Sequence, residues 1–526
     1  MNYLLVVLFS LLGSLSMAFI LPQECRMFAC VPMSIPLVMI FLPKKEIYAR
    51  IFGMSSVAED FTRGWLITGF TGSGKTTALT YLLFQIFKRV PNFGAVFLDQ
   101  KGVFWEIIER MAKHFGREQD LILIRTKPLK SPGALRDSST SPSWEPTNTI
   151  NILGDPSIPA SAYADFLTDT HSSLNPKGDG GNSTFFKSKG KEMMTLGIEI
   201  LRLINEPVTI PRLDRLICDS DTQEMKLCQL GKVVELEKLQ EADSKNGCTE
   251  HLVLKPHATK IYQDFLSFKK LPTDTLGGVI GNIGNILKPF TEESIAPIFC
   301  ADKPTFLVSE IDQGKLVCIS IPQSLTAQRM FINTLLKLFF YFHAQCRFDQ
   351  TAEEREKHNQ IFLCADEGQE VITSAYSAFA DHRQAAILRE AKATIIMATQ
   401  GYSSIYAALP KEHANVLISS LANQLIFQAS SGENAQTAEG FLGSRSKKKF
   451  SYSYSGGKRT KSFTWETVPY IHFFKFRKFP KFYCVAKLAN GRWKQGYLPP
   501  ITPEGKTPKW LWAQNPFLAI RGIFIK

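Results

Sequence analysis

Residues 69–76 have the types and spacing needed to hold a phosphate group. They read Gly-Phe-Thr-Gly-Ser-Gly-Lys-Thr and complete the pattern G-x-x-x-x-G-K-[ST] of a phosphate-binding loop. Glycines let backbone amides close around phosphate oxygens, and the N-terminus of a following helix adds positive potential. The Lys75 ammonium would contact the β- and γ-phosphates of a nucleotide, and the Thr76 hydroxyl would bind Mg²⁺. The predicted nucleotide-binding residues are Gly69, Thr71, Gly72, Ser73, Gly74, Lys75, Thr76 and Thr77.

The residues on either side of this loop supply the context that the motif requires. Residues 65–68 form a short apolar run typical of a strand, and residues 77–88 place apolar side chains at helical spacing. A chance glycine-rich turn is the alternative interpretation. The order of strand, loop and helix favours a working phosphate site over that alternative.

A second candidate element lies about 290 residues downstream, where the apolar run 361–365 ends in Asp366 and Glu367. Such a pair suits a Walker B element. Asp366 would hold Mg²⁺ near Thr76, and Glu367 would polarise the water that attacks the γ-phosphate. The alternative is that these acids only cap a following helix. Together with the loop, the pair predicts hydrolysis of ATP assisted by Mg²⁺.

Two further polar residues could complete this chemistry. Gln400 follows the apolar run 394–398 and could sense the γ-phosphate, although it could equally be a plain polar residue at a strand end. Arg389 could reach the nucleotide of a neighbouring subunit as an arginine finger, or it could be an exposed helical arginine. The sequence therefore predicts four catalytic residues, namely Lys75, Glu367, Gln400 and Arg389.

The elements that must position these residues alternate between strands and helices. Strands are predicted at 94–98, 121–125, 314–322, 360–365, 394–398 and 423–428, the last of these ending the α/β pattern; helices are predicted at 103–115 and 327–346. This alternation predicts an α/β fold whose parallel sheet is covered on both faces. Between the two halves, residues 160–289 carry helical patterns at 160–169, 185–205, 223–243 and 257–268, with glycine-rich loops at 176–182 and 277–285. We therefore expect an all-α insertion.

Composition limits the class of protein. The chain has 526 residues, of which 44% are hydrophobic, so it can bury large cores. Its ten cysteines are scattered, with neither a C-x-x-C pair nor metal-ligand spacing. This usage suits a reducing compartment and argues against a disulfide framework or a zinc site.

The first 45 residues are the candidate membrane segment. Residues 2–23 carry no charged side chain, and a second apolar run at 27–43 contains Pro32 and Pro36. Lys44, Lys45 and Arg50 follow closely, so the positive-inside rule predicts a transmembrane hairpin with both ends in the cytoplasm. Two alternatives stay open. One is a single span; the other is a cleaved signal peptide, for which 16–18 resembles the cleavage site.

Positive charge is concentrated at the C-terminus. Residues 445–526 contain 18 lysines and arginines against two acids, although the net charge of the whole chain is only +13. Within this segment, residues 472–481 alternate aromatic and basic side chains, and 482–498 predict a β-hairpin with Asn490-Gly491 in a primed turn. The surface could bind nucleic acid, an anionic membrane or an acidic partner. Alternatively, its phenylalanines are core residues and its lysines are merely solvated.

The order of these elements resembles the coupling proteins of type IV secretion, which are the inner-membrane ATPases of conjugation in the FtsK–HerA superfamily. The resemblance covers roughly residues 1–445. Its landmarks are the hairpin, the loop at 69–76, Asp99-Gln100-Lys101-Gly102, the segment 150–153, Asp366-Glu367, Arg389, Thr399-Gln400, Thr437-Ala438-Glu439 and Leu442-Gly443. Three features depart from the family pattern: Gly368-Gln369-Glu370 follows the acids instead of a bulky apolar residue, prolines break the second membrane run, and the C-terminus is basic.

The resemblance implies a RecA-like P-loop domain in a homo-hexameric ring at the bacterial inner membrane, multi-pass, with the ATPase domain in the cytoplasm. Such a protein would use ATP and Mg²⁺ to pass single-stranded DNA bound to a relaxase, or a protein substrate, to secretion-channel proteins. The expected division is a membrane hairpin (1–45), a nucleotide-binding domain in two parts (46–158 and 291–445), the insertion (159–290) and a basic C-terminal segment (446–526). The competing functions are another DNA translocase of the superfamily and a nucleotide-binding membrane receptor without transport activity.

Overall fold

The computed structural model of the protein describes residues 46–126, 146–174, 181–245, 258–373 and 376–523. The pattern of contacts separates the chain into two compact units, with the boundary between Ile47 and Tyr48. The large sheet belongs to the unit Tyr48–Lys526. The predicted membrane hairpin at 1–45 lies outside the described residues. Within the described ranges, no helix combines the length and apolar character that crossing a bilayer requires.

Strands occupy both halves of the predicted core and the C-terminal segment. In chain order they are β1 (Ile47–Ile51), β2 (Met54–Val57), β3 (Trp65–Thr68), β4 (Gly94–Asp99), β5 (Leu121–Arg125), β6 (Leu316–Ser320), β7 (Ile361–Asp366), β8 (Ala393–Thr399), β9 (Asn423–Ile426), β10 (Ser444–Ser455), β11 (Lys458–Pro469), β12 (Tyr483–Lys487) and β13 (Trp493–Tyr497).

A nine-stranded sheet in the order β13-β12-β9-β3-β8-β7-β4-β6-β5 forms the centre of the molecule. The strands from β9 to β5 run parallel, as the alternating pattern predicted. The β-hairpin predicted at 482–498 is present as β12 and β13, but the prediction that 423–428 is the last strand of the core sheet was wrong, because β12 pairs with β9 in the antiparallel direction and β13 pairs with β12. This C-terminal hairpin covers an edge of β9 that would otherwise expose unpaired backbone groups.

The turn of this hairpin differs from its prediction. Gly491 has a φ of 82°, but Asn490 is not among the described residues with positive φ, so the pair does not form a type I′ turn. Instead, Leu488 N–H donates to the carbonyl of Arg492 over 2.8 Å, and Gly491 N–H donates back to Leu488. The hairpin therefore closes through a longer loop than the two-residue turn that the sequence suggested.

Both faces of the sheet are buried. On β4, Ala95 and Phe97 belong to one hydrophobic core, whereas Val96 and Leu98 belong to the other. Successive side chains of a strand point to opposite faces, so this alternation means that helices cover the sheet on both sides. The helices that follow or precede the core strands are Ala58–Phe61, Lys75–Arg89, Phe104–His114, Thr326–Cys346, Ala352–Lys357, Asp381–Ile387, Tyr402–Ala408, Lys411–Ser420, Gly432–Leu442, Phe473–Phe476, Lys509–Gln514 and Pro516–Ile523.

The region between β5 and β6 is helical, as predicted. Its described helices are Ala160–Leu174, Gly181–Leu203, Ile210–Cys218, Ser220–Lys245, Ala258–Phe268, Thr273–Leu287 and Ala296–Phe299. The prediction of a loop at 277–285 was wrong, because these residues lie inside Thr273–Leu287. Val279, Ile283 and Ile286 are buried at helical spacing on one side of that helix. Burial of this apolar stripe offsets the weak helix propensity of the glycines.

Aromatic side chains join the helical region to the sheet layer. The ring of Phe166 lies 5.4 Å from that of Phe339 on helix Thr326–Cys346, and Tyr163 lies 5.7 Å from the same ring. The segment that follows β5 contributes as well. Asn151 forms an isolated antiparallel bridge with Cys300, and its side-chain amide donates to the carbonyl of Val208 over 2.9 Å. Insertion and sheet therefore share a continuous hydrophobic core.

A buried ion pair fixes the segment that follows the Asp366-Glu367 pair. The Nζ atom of Lys337 lies 2.6 Å from an Oδ2 atom of Asp381, and both side chains are almost fully buried. The same carboxylate accepts hydrogen bonds from Tyr341 and from the backbone and hydroxyl of Thr373. Burial alone would raise the pKa of Asp381, but the Lys337 charge and these donors hold it below its usual value.

Replacing Asp381 by Leu is expected to lower the free energy of unfolding by about 3–5 kcal/mol, because it leaves the Lys337 ammonium buried and unpaired. Denaturant unfolding of the two proteins measures the difference. The matched control is the double variant Lys337→Met with Asp381→Leu, which removes both charges and should recover most of the loss. A loss below about 1 kcal/mol in the single variant would show that the pair is solvated or dispensable.

Candidate nucleotide site

The glycine-rich loop joins β3 to helix Lys75–Arg89, as the motif requires. Gly72 and Gly74 have φ angles of 83° and 121°, which disfavour any residue with a Cβ atom. A Cβ atom on Gly69 would lie 2.6 Å from the Cβ atom of Phe427, so this position also has no room for a side chain. The backbone can therefore follow this tight path only with glycine at these three positions.

Lys75 and Ser73 point their polar atoms toward the loop. The Nζ atom of Lys75 donates to the carbonyl of Gly69 over 2.8 Å, and the side chain is only 5% exposed. Burial lowers the pKa of this ammonium, although Glu367 opposes the effect. The buried Oγ atom of Ser73 has no hydrogen-bond partner among the described residues. A phosphate group would satisfy both donors, so the loop fits the anion that its sequence predicts.

The remaining predicted loop residues surround these donors. Thr71 and Gly72 are exposed, whereas Thr76 and Thr77 at the start of the helix are half-buried. The first amides of a helix have no intrahelical acceptor, so those of Lys75, Thr76 and Thr77 remain available to an anion.

The two predicted halves of the site meet at the carboxyl edge of the sheet. The Oγ1 atom of Thr76 lies 3.3 Å from the Oδ2 atom of Asp366 at the end of β7. Glu367 follows in the left-handed conformation, with φ 53° and ψ 48°. Its Oε2 atom accepts a hydrogen bond from the Gln369 amide over 2.9 Å, which fixes its orientation. The hydroxyl and carboxylate oxygens of Thr76 and Asp366 are hard ligands of the kind that Mg²⁺ prefers.

Lys101 is a site residue to which the sequence interpretation gave no role. Its Nζ atom lies 3.0 Å from Asp366 Oδ2 and 2.9 Å from Glu367 Oε1, so it bridges the two acids. Asp99 builds the loop that carries it. The Asp99 carboxylate accepts from the amides of Lys101, Gly102, Phe104 and Trp105, and the side chain is fully buried. The available signal was the pattern Asp-Gln-Lys-Gly at the end of a strand that neighbours β7.

The bridge affects the pKa values of Glu367 and Lys101. Burial would raise the pKa of Glu367, but the hydrogen bonds from Gln369 and Lys101 and the Lys101 charge bring it below its usual value. Burial would lower the pKa of Lys101, but the charges and hydrogen bonds of the two carboxylates outweigh burial, so the pKa of Lys101 is raised. Glu367 is therefore an ionised carboxylate at neutral pH, which is the form that accepts a proton.

The departure from the family pattern after the acids has a structural reason. A Cβ atom on Gly368 would lie 2.4 Å from the Cγ atom of Met397 on β8, so a bulky residue does not fit at this position. Glu370 pairs with Arg329 over 3.3 Å, and Arg329 also donates to the side chain of Gln100. The Glu370–Arg329 ion pair and the Arg329–Gln100 hydrogen bond therefore fix the segment after the acids, in place of an apolar residue packed there.

The other two predicted catalytic residues lie at opposite edges of the sheet. Gln400 is exposed and directly follows β8, which lies between the strands of the loop and of the acids. Arg389 precedes β8 and therefore lies at the amino edge, away from Lys75 of the same chain. Its Nη2 atom is 3.2 Å from Glu59 Oε1, and both side chains are well exposed. Within one chain, Gln400 therefore lies at the same edge of the sheet as the phosphate loop and the acids, whereas Arg389 lies at the other edge.

The C-terminal segment packs against the phosphate loop. Phe482 N–H donates to the carbonyl of Ser73 over 2.8 Å, and a Cβ atom on Gly74 would lie 2.9 Å from the Phe482 ring. Phe476 and Phe479 are buried too, and Phe473 packs against the core, while Phe474 is exposed. The hypothesis that this stretch stacks on bases therefore does not hold for its buried rings.

A known protein family matches the part of the chain that contains Asp366 and Glu367. The family described as the type IV secretion-system coupling protein DNA-binding domain matches residues 310–468. No curated protein matches the chain. In the part of the chain that the structure describes, no group of three or more histidine, cysteine or acidic side chains could hold a metal ion.

Solved structures of similar fold were also found. The bacterial conjugative coupling protein TrwBdeltaN70 in its unbound form has a TM-score of 0.57 at 14% identity, and the match covers 88% of this chain and 91% of that one. TrwB in complex with the non-hydrolysable ATP analogue ADPNP has the same TM-score, identity and coverage. TrwB in complex with ADP and Mg²⁺ has a TM-score of 0.52 at 13% identity, with the same coverage. These likenesses establish a mixed α/β fold with a large parallel sheet.

Proposed function

Because residues 310–468 match the type IV secretion coupling-protein domain, as the resemblance predicted, we propose that this chain is an ATPase that drives DNA into a secretion channel. The observation that carries the proposal is the meeting of Thr76 and Asp366, 3.3 Å apart, from elements 290 residues apart in sequence. A phosphate loop beside two acidic residues is the arrangement that nucleoside triphosphate hydrolysis requires.

The proposed cofactors are ATP and Mg²⁺, the latter held by Thr76 and Asp366. When bound, Mg²⁺ would neutralise charge on the β- and γ-phosphates. Lys75 and the loop amides bind the phosphates, and Glu367 orients the attacking water and accepts its proton. In this scheme Lys101 keeps Glu367 ionised, and Asp366, which Lys101 also contacts, would be a ligand of the metal.

Two roles extend beyond the first contacts of the nucleotide. Gln400 lies between the strands of the loop and the acids, so it can report the presence of the γ-phosphate to β8. Arg389 lies at the other edge of the sheet, so an arginine finger would have to act on the nucleotide of a neighbouring subunit. That role, and the homo-hexameric ring it needs, belong to the proposal.

The proposed substrate is single-stranded DNA delivered by a relaxase, with secretion-channel proteins as further partners. Residues 1–45 would anchor the chain in the bacterial inner membrane as a multi-pass hairpin, leaving the ATPase domain in the cytoplasm. Their apolar runs and the following Lys44, Lys45 and Arg50 support this placement. A nucleotide-binding receptor without transport is the competing function, and turnover distinguishes the two.

Replacing Lys101 by Met is expected to move the acidic limb of the pH profile of kcat/KM to higher pH. The limb marks protonation of the Glu367 base, and removing Lys101 removes one cause of its low pKa while burial remains. The measurement is ATP turnover across acidic and neutral pH. Lys113→Met is the control, because Lys113 is exposed and pairs with Glu118 instead. An acidic limb at the wild-type pH in the Lys101 variant would contradict the proposed bridge.

The proposed function is tested by ATP hydrolysis with single-stranded or double-stranded DNA at several salt concentrations. Single-stranded DNA is expected to stimulate turnover, and the stimulation should fall steeply as salt rises, because binding releases counterions from the phosphates. Stimulation by duplex alone would favour another translocase of the superfamily. Hydrolysis that no DNA stimulates would move the proposal to protein substrates, and an absence of hydrolysis would favour the receptor.

A further inference from the structure

Strands β10 and β11 form a long ribbon that stands apart from the main sheet. Each strand has 12 residues, and they pair only with each other in an antiparallel register. Residues 444–469 contain one acid, Glu466, among many basic and aromatic side chains. Neither the phosphate loop nor the acids use this ribbon, so its composition needs a separate explanation.

The register sorts these side chains onto two distinct faces. Phe450 is paired with Phe463, and Lys448 with Trp465. Because alternate residues of a strand share a face, one face carries only aromatic and basic side chains at its centre. We call it the aromatic–cation face; its residues are Lys448, Phe450, Tyr452, Tyr454, Arg459, Lys461, Phe463 and Trp465. The opposite face carries Lys447, Lys449, Ser451, Ser453, Thr460, Ser462, Thr464 and the acid Glu466.

The aromatic rings of this face are exposed rather than packed into a core. Tyr454 is 73% exposed, Trp465 is 63% exposed, and the other three rings are between 46% and 55% exposed. Five exposed rings on one short surface are unusual for a protein without a partner there. They contrast with Phe476, Phe479 and Phe482, which follow in the sequence and are buried.

Cations lie among the rings instead of on a separate face. Lys461 Nζ lies 4.2 Å from the centroid of the Phe450 ring, and Arg459 Cζ lies 4.0 Å from that of Tyr452. Lys448 lies 5.0 Å from the centroid of Phe463 and 5.1 Å from that of Trp465. Positive charge therefore runs along the same surface as the aromatic rings, and the only acid of the ribbon, Glu466, pairs with Lys449 on the opposite face.

We infer that the aromatic–cation face binds single-stranded nucleic acid, an inference that rests on the proposed DNA substrate and gives it a docking surface. Basic side chains neutralise phosphates, and exposed rings stack on unpaired bases. A duplex offers no free base faces to such rings. A membrane-binding element instead separates an apolar face, usually containing aliphatic residues, from a basic one. This face contains no aliphatic residue, and its cations are interleaved with the rings.

The test uses the full chain and a fluorescein-labelled oligothymidylate. Replacing Lys448 and Lys461 by Ser removes two charges from the face, and replacing Lys447 and Lys449 by Ser removes two from the opposite face. The first variant is expected to lose at least about tenfold in affinity and to show a shallower salt dependence, whereas the second should lose less than about threefold. Equal losses would reduce the effect to net charge and overturn the inference.

A second variant tests stacking without changing charge. The double variant Phe450→Ala with Phe463→Ala is expected to weaken oligothymidylate binding by at least about tenfold, because it removes two rings that can each stack on a base. Unchanged affinity in this variant would overturn the inference, as would a selective loss of binding to anionic lipid vesicles or a change of subunit assembly with DNA affinity intact.

The failure of the inference is distinguishable from failure of the proposed function. Hydrolysis of ATP without DNA should be unchanged in the ribbon variants, which also shows that they fold. If the wild-type chain hydrolyses ATP and the ribbon variants bind the oligonucleotide normally, the ribbon inference fails and the ATPase stands. If the wild-type chain hydrolyses no ATP, the proposed function fails whatever the ribbon binds.

Discussion

Replacing Glu367 by Gln is expected to lower the rate of ATP turnover by about 10²–10⁴-fold, the usual contribution of a general base. The substitution keeps the shape of the side chain, although its single amide oxygen can accept from only one of Gln369 and Lys101, which contact different oxygens of Glu367. It removes the negative charge that accepts the proton of the attacking water. Nucleotide affinity should stay close to the wild-type value, since the phosphates are bound by the loop and Lys75 rather than by Glu367.

The matched control is Glu370→Gln, which makes the same chemical change three residues later in the same turn. Glu370 pairs with Arg329 and is partly exposed, so turnover should change by less than about fivefold. Steady-state hydrolysis and equilibrium binding of ATP provide the two measurements. If Glu367→Gln weakened binding and left the turnover of bound nucleotide intact, the acid would be a binding residue and not the base.

Replacing Lys75 by Met is expected to impair both binding and chemistry. The ammonium is buried beside the carbonyls of the loop, where water cannot replace it. Losing a charged hydrogen-bond donor to phosphate should weaken affinity by about 10–150-fold, and losing its stabilisation of developing charge should lower kcat by about 10²–10³-fold. Lysine and methionine have similar length, so the loop keeps its packing.

Lys88→Met on the same helix is the control for this variant, because Lys88 is exposed near the far end of the helix. It should leave affinity and turnover unchanged within about twofold, as most surface substitutions do. Binding of ATP by calorimetry and hydrolysis at saturating ATP separate the two effects. Wild-type affinity and turnover in Lys75→Met would remove the phosphate loop from the proposed mechanism.

Local patterns predicted the parts of the site that depend on neighbouring residues. The strand, loop and helix around Gly74 follow from glycine placement and apolar spacing over about twenty residues. The strand that ends at Asp366 was recognisable because it is apolar throughout, as a strand buried on both faces must be. The carboxyl ends of parallel strands share one edge, which is why Thr76 and Asp366 could be expected to meet.

Contacts between distant segments were beyond such patterns. Lys101 bridges Asp366 and Glu367, and Asp366 lies 265 residues away in the sequence. The residues around Lys101 in the sequence do not specify that contact. Helix Thr273–Leu287 contains several glycines, and it forms because Val279 and Ile283 bury against other helices. The edge of β9 that receives β12 is likewise visible only once the order of the strands is known.

The basic C-terminus shows the same limit. The alternation of aromatic and basic residues predicted that 472–481 form one exposed surface, yet Phe476 and Phe479 are core residues. The exposed rings belong instead to β10 and β11, where a β-register sorts them onto one face. Composition located the charge in the right part of the chain, but pairing between the strands decides which side chains face solvent.

The most direct test of the proposed motor is the hydrolysis of ATP by the full chain and by its Glu367→Gln variant, each with and without single-stranded DNA. We expect DNA to raise the rate of the wild-type protein, and we expect the variant to remain near background under both conditions while still binding ATP. DNA-stimulated hydrolysis at the wild-type rate in the Glu367→Gln variant would contradict the assignment of this site as the motor.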